Sequence, residues 1–330
     1  KDLPGWQDDK HSEVLKAFSK SCDRILKKSS KNSFGGKRRV GGTYGDWKPA
    51  CEALQKVDPD NDKEAREYFE KWFKPWLATA GGRSDTGLFT GYYEASLHGS
   101  RTKNGPYQTP LYKLPPNTHR KKRWTREQIS EGKWPHNDKA LVYVDDPIDA
   151  FFLHIQGSGV IEMDDGTTIR VGYAGQNGHP YFPIGKELIN RGHIKKEDMS
   201  MQAIRDWLIK NPDEALEIMY KDKSFVFFKE TGKDGAVGAE GVVLTPERSL
   251  AVDRKKVPYC MPVWLDVNPP LEGEKQIQRL VVSQDTGGAI RGAVRGDFFW
   301  GHGKRAEKMA GPMKSTGKYW FLLPKGVKPR

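Results

Sequence analysis

Cysteine is scarce in this chain: Cys22, Cys51 and Cys260 are the only three in 330 residues. None forms a C-x-x-C pair, which argues against a cysteine-rich metal site. Cys22 and Cys51 each fall on the apolar stripe of a predicted helix. Two readings stand open for them: buried thiols, or a disulfide contributing about 3–4 kcal/mol in an oxidising compartment. No apolar run approaches the length that spans a bilayer. Zinc-finger spacing and RNA-binding aromatic motifs are missing, and no internal repeat is visible. The chain starts at Lys1 without a Met or a signal-like apolar segment. It therefore reads as a processed or truncated form, with any signal peptide or lipid anchor outside it.

The net charge is +12, which implies an anionic partner or surface. Nucleic acid, acidic phospholipid and a carboxylate-bearing wall polymer all fit that charge. A 36% hydrophobic content with ten Trp, twelve Tyr and fourteen Phe excludes disorder throughout. The length predicts two domains. Thirty-five glycines and twenty-one prolines predict many turns, hence a β-rich fold with helical additions.

The first eighty residues read as helical. Ser12 is a candidate cap for a helix with the stripe Val14, Leu15, Phe18, Cys22, Ile25 and Leu26. Residues 28–42 are basic, glycine-rich and non-periodic, as in a mobile loop. A second helix fits Trp47, Cys51 and Leu54. A third fits Ala65, Phe69, Trp72, Phe73 and Trp76, with Pro75 as its kink or end. From Gly87 the pattern turns to strand and loop, through Pro106, Pro110, Pro115 and Pro116. Asp164-Asp165-Gly166 predicts a hairpin over Val160–Val171. Helices return near 184–220, with Asn211 as a cap before Pro212 and Glu214. Short strands are expected at Val242–Leu244, Val263–Leu265, Leu280–Ser283 and Tyr319–Leu323.

Four stretches hold more glycine, aromatic and polar residues than a core requires: Gly91-Tyr92-Tyr93-Glu94, Gln156-Gly157-Ser158-Gly159, VGYAGQNGHPY at 171–181, and the run from Gln284 to Gly303. Glycine lets backbone amides approach a ligand, and exposed rings beside carboxamides grip sugars. With LPGW at 3–6, PLY at 110–112, FFLHIQGSG at 151–159, SFVFF at 224–228, SLAVD at 249–253 and GDFFWG at 296–301, these motifs resemble the MltA family of lytic transglycosylases. The likeness runs from about Leu3 to Pro324. Its C-terminal part resembles the "3D" module, whose three aspartates fall on Asp253, Asp285 and Asp297.

The resemblance implies a mainly β fold with added helices: a six-stranded double-psi β-barrel formed by 1–104 and 237–330. A second β-rich domain is inserted at 105–236, with a groove for glycan between the two. It implies cleavage of peptidoglycan between N-acetylmuramic acid and N-acetylglucosamine, with Asp297 as the catalytic acid and then the base. Asp285 and Asp253 are assigned supporting roles. Tyr92, Tyr93, Glu94, Gln156, Gly157, Ser158 and Tyr173 are assigned to substrate binding, with Glu94 the other acid worth testing as a catalytic partner. An aspartate near pKa 3.9 is mostly ionised at neutral pH, so Asp297 needs its pKa raised by apolar neighbours such as Phe298, Phe299 and Trp300, or by a like charge.

His154, His179 and His302 read as structural, and neither cofactor nor metal is implied. The expected partners are glycan strands and other cell-wall enzymes, with no nucleic acid. A monomer in the Gram-negative periplasm is expected, attached to the outer membrane only through an anchor outside this chain. The chain departs from the family at His154 (commonly Gln), Val160 (commonly Arg) and Cys260 (commonly Gly). Competing functions are a D-T-G aspartic protease, for which one such motif would require a homodimer, a wall-binding scaffold without activity, and a water-using muramidase.

Overall fold

The computed structural model describes residues 3–35, 40–82, 84–116, 124–232 and 234–329. The fold is mainly β with added helices, in two compact units. The first comprises Lys1–Tyr92, Val237–Gly301 and Met313–Arg330, and the second Tyr93–Ala236 and His302–Pro312.

In the first unit, α1 (His11–Leu26) buries Val14, Leu15, Phe18, Cys22 and Ile25, the stripe that its spacing predicts. Ser12 lies inside this helix rather than capping it. Its amide instead donates to Asp62 Oδ1 at 2.9 Å, so the first residue of α3 (Asp62–Trp72) satisfies one of the helix's orphan donors. Thr43 and Asp46 form a capping box for α2 (Tyr44–Leu54), which buries Trp47, Cys51 and Leu54. Cys22 and Cys51 are joined in a disulfide between α1 and α2, which resolves their two readings. Residues 36–39 of the basic loop lie outside the described residues. Before them, Phe34 is buried and stacks on Trp47 at 4.1 Å, with its amide on the Gly42 carbonyl. Among the described residues of this loop, 28–32 are exposed while Phe34 and Gly41 are buried.

The third helix stops at Trp72. Phe73–Leu77 is a strand, β1, paired among the described residues only with β12 (Lys314–Pro324). Pro75 therefore sits on an edge strand, where its missing N–H breaks no ladder. The other strands here are the first half of β2 (Gly87–Ser100), β8 (Ser249–Val252), β9 (Pro262–Val267), β10 (Ile277–Asp285) and β11 (Arg295–His302). Their order is β12-β9-β10-β8-β11-β2, and β2 pairs back onto β12. Six strands thus close into a barrel. Val242–Leu244 forms no strand; Val243 makes one bridge to Val237. Arg248, almost fully buried, ties α1 to the barrel: its guanidinium donates to both oxygens of Asp9, to Glu13 and to the carbonyls of Lys10 and Leu280.

The second unit holds β3 (Thr109–Tyr112), β4 (Ala140–Val144), the second half of β2, β5 (Ser158–Met163), β6 (Thr168–Gln176) and β7 (Val226–Thr231). They pair in the order β3-β4-β2-β5-β6-β7, and a parallel bridge from Lys113 to Phe228 brings the ring round. The β5–β6 hairpin turns at Asp164–Gly166, as expected. After the short α4 (Arg126–Ser130), the helices α5 (Pro147–Gln156), α6 (Ile184–Asn190), α7 (Met201–Lys210) and α8 (Pro212–Tyr220) share a core of Phe151, Phe152, Leu188, Leu208 and Ile218. Asn211 occupies the N-cap position of α8 but does not cap it. Its amide turns back to the Trp207 carbonyl at 2.7 Å. Among the described residues no helix is long and apolar enough to cross a membrane.

The disulfide encloses a 29-residue separation. Replacing Cys22 and Cys51 together by Ser is expected to lower stability by about 3–4 kcal/mol, read by denaturant unfolding without reductant. An unchanged midpoint would show that helix packing alone holds α1 to α2.

Candidate active site

The acid-bearing strands meet at a β-bulge. On β8, Ala251 pairs with Asp297 of β11 on one side and Asp285 of β10 on the other. Residues directly opposite share a face, so both carboxylates project from the same side of the sheet, roughly 10 Å apart at Cα. The register shifts between Ser283 and Asp285, leaving Gln284 as the extra residue, and such bulges re-aim neighbouring side chains. Gln284 is fully buried. Its amide donates to Ala17 O and Ser21 Oγ of α1, both at 2.9 Å, and its oxygen accepts from Ser249 at 2.7 Å. Gly296, just before Asp297, is required by close packing: a Cβ there would stand 2.9 Å from Leu250 Cδ1 and 3.0 Å from Phe89.

Strand β2 supplies a hydroxyl to each acid. Thr90 and Tyr92 are two residues apart and so share a face. Thr90 donates to Asp297 Oδ1 at 2.7 Å, and Tyr92 to Asp285 Oδ2 at 3.0 Å. Arg295 donates to Thr90 Oγ1 at 2.9 Å. The Tyr92 ring packs on Phe299 at 5.1 Å. Asp285 Oδ1 also accepts the amides of Ala239 at 2.8 Å and Thr286 at 2.9 Å.

These partners treat the two acids unequally. Burial pushes Asp285 up to about 6, against the pull of its two amides and Tyr92, and the negative charge of Asp297 adds to the rise. Burial also raises Asp297, opposed by the Arg295 cation and the Thr90 hydroxyl. Both are half-buried. Asp253 behaves differently: burial alone would raise it, but the amides of Gly292 and Lys255 and the nearby Arg291 hold it below the usual carboxylate range. Through Gly292 at 3.0 Å it ties down the loop that leads to Asp297.

In the second unit, Gln156 ends α5 and its oxygen accepts the Tyr93 amide at 3.3 Å. Gly157 closes that helix in a left-handed conformation, and Ser158 opens β5. Glu94 is 2% exposed and paired with Arg170. Tyr93 is buried, and burial with the neighbouring Glu307 raises its phenol. Tyr173 is 54% exposed. His154 is a core residue whose Nδ1 accepts the Val226 amide at 3.3 Å; burial and Arg126 keep it neutral. Among the described residues no group of three or more His, Cys, Asp or Glu could hold a metal ion.

Asp297, Asp285 and Tyr92 thus come together, with Asp253 bracing a loop. Thr90, Ala251, Arg295 and Ala239 were not singled out by sequence. The alternation of β2 places Thr90 on the Tyr92 face, and that signal could have found it.

A sheet-dominated chain with helical additions, carrying an acid pair on a closed barrel, defines the class. The model described as the MltA-specific insert domain matches residues 88–229, and that of the 3D domain matches 248–323. Membrane-bound lytic murein transglycosylase A of Escherichia coli K12 is 39% identical over 242 residues, covering 71% of this chain and 65% of the relative. The Vibrio cholerae protein of that name is 35% identical over 256 residues, covering 74% and 68%. The chain belongs to the MltA family. It spans 65% of the length of the Escherichia coli relative that it matches.

Solved structures agree. A membrane-bound lytic murein transglycosylase from Agrobacterium tumefaciens superposes with a TM-score of 0.85 at 28% identity, covering 98% of this chain and 96% of the other. The lytic transglycosylase LtgG of Burkholderia pseudomallei gives 0.67 at 40%, covering 98% and 93%. Escherichia coli MltA with bound chitohexaose gives 0.74 at 31%, covering 94% and 90%.

Because folding raises Asp285, its contribution to stability is fully present below the unfolded value near 3.9. It is lost as pH rises through about 6. Asp285→Asn is therefore expected to stabilise the fold by about 1–2 kcal/mol at pH 8, discounted for its partial exposure, and not at pH 3. Denaturant unfolding at the two pH values checks this; equal effects at both would contradict it.

Proposed function

We propose that this chain is a peptidoglycan lytic transglycosylase with Asp297 as its acid and base. The observation that carries this is a carboxyl raised by burial, held by Thr90 on the barrel face that Asp285 shares. In its protonated form Asp297 gives its proton to the glycosidic oxygen between N-acetylmuramic acid and N-acetylglucosamine as the C1–O bond breaks. The resulting carboxylate then takes the proton of the muramic C6 hydroxyl, whose oxygen bonds to C1. A 1,6-anhydro ring forms, Asp297 is again protonated, and no water is consumed. Asp285 and Asp253 support this centre, the first as a like charge and the second as a brace for the loop.

Tyr92, Tyr93, Glu94, Gln156, Gly157, Ser158 and Tyr173 are assigned to glycan binding. The bound chitohexaose of the Escherichia coli relative supports a β-linked amino-sugar ligand. Residues 105–236 are assigned to an inserted domain and the remainder to a double-psi barrel. The six-strand closure and the match of the insert model support that division. A periplasmic location at the outer membrane of a Gram-negative bacterium is assigned with this function; the relatives' names, membrane-bound and murein-directed, support a site at a membrane beside the wall.

Purified peptidoglycan incubated with the wild type is expected to release anhydro-muropeptides, identified by mass spectrometry. Asp297→Asn should lower that release by about 10²–10⁴-fold. Reducing-end products would make the protein a hydrolase, and no release from the wild type would leave a binding scaffold.

A further inference from the structure

Glu240 is a buried carboxyl, 4% exposed, to which the proposed reaction assigns no task. Its Oε2 accepts from Ser21 of α1 at 2.9 Å, and its Oε1 from the Cys260 thiol at 3.2 Å. The main chain of the same turn meets the bulge beside the acids. Glu240 donates its amide to Gln284 O at 3.0 Å, while Ala239 donates to Asp285 Oδ1 at 2.8 Å. The turn lies so close that a Cβ on Gly238 would stand 2.5 Å from the Gln284 carbonyl oxygen. Cys260 occupies the left-handed region at φ +69, a conformation that L side chains rarely adopt, and its amide is fixed on Ser283 O at 2.8 Å. Cys260 thus combines a glycine-like backbone with a thiol donor to Glu240.

We propose that Glu240 is a positioning residue for Asp285: anchored by Ser21 and Cys260, it holds the 238–241 turn so that the Ala239 amide stays on the Asp285 carboxylate. The mechanistic weight of this rests on Asp285 belonging to the acid pair of the proposed reaction. The charged and titratable groups near Glu240 are Arg24 of α1, Tyr44 at the start of α2, Tyr259 and Cys260. Those near Asp285 are Tyr92 of β2, Asp297 of β11, and Tyr259.

Charge and position have opposite signs here. Removing the negative charge of Glu240 would lower the Asp285 pKa, whereas releasing the Ala239 amide would raise it. The test is a carbon-13 NMR titration of the Asp285 carboxyl in the full chain, its signal identified by its loss in Asp285→Asn. Glu240→Ala is expected to move that titration up by about one pH unit, and Glu240→Gln, which keeps the shape, not to raise it. Cys260→Gly, which removes the thiol donor and suits the left-handed backbone, should give a smaller upward shift. That variant decides the matter where Glu240→Ala fails to fold. A folded Glu240→Ala or Cys260→Gly whose Asp285 titrates at or below the wild-type pH would overturn the proposal. The titration needs no glycan, so it reads separately from a failure of the transglycosylase assay.

Discussion

Everything at the acid pair depends on the register of three strands around Ala251. Asp297 and Asp285 lie in one stretch of sequence, but they share a face only because β11 and β10 both pair with one small residue of β8. A slip of one position would turn either carboxylate to the other side of the sheet. Against that, the bulge is pinned by Gln284, whose carboxamide has no spare hydrogen-bonding capacity in the direction of α1. Helix packing on the outside of the barrel is therefore part of how the acids are aimed.

The electrostatics follow from the same placement. Burial pushes both aspartates up, and the donors around them pull both down. Asp285 takes three donors and still rises, which makes desolvation the stronger influence there. Asp253, with two amides and a nearby arginine, falls instead. Two of the module's three aspartates are thus raised and one lowered, according to whether burial or the donors and cations around each prevail.

Much of this was legible in the sequence. The α1 stripe, the α2 contacts and the β5–β6 hairpin follow from periodicity and turn chemistry, and the motifs led to Asp297, Asp285 and Asp253. What was not legible depended on partners distant in the chain. Asp62, fifty residues away, takes the role expected of Ser12. Phe73 to Leu77 continues a helical spacing, but pairing with β12 draws it into a strand. Val242–Leu244 has the composition of a strand and finds only one bridge. Thr90 carries no motif beyond its place in β2, and Ala239 acts through a backbone amide that any residue but proline could supply.

The edge formed by β1 has a further consequence. A terminal strand exposes a row of unsatisfied backbone groups on which other chains can add. Here Pro75 removes one donor from that row, and the ammonium of Lys74 lies over the Trp76 ring at 5.2 Å, placing a charge beside the largest apolar surface of the strand. A missing outward donor and a positive charge are among the devices by which natural sheets discourage edge-to-edge addition. The proline that looked like a helix terminator in sequence thus serves as a guard against polymerisation.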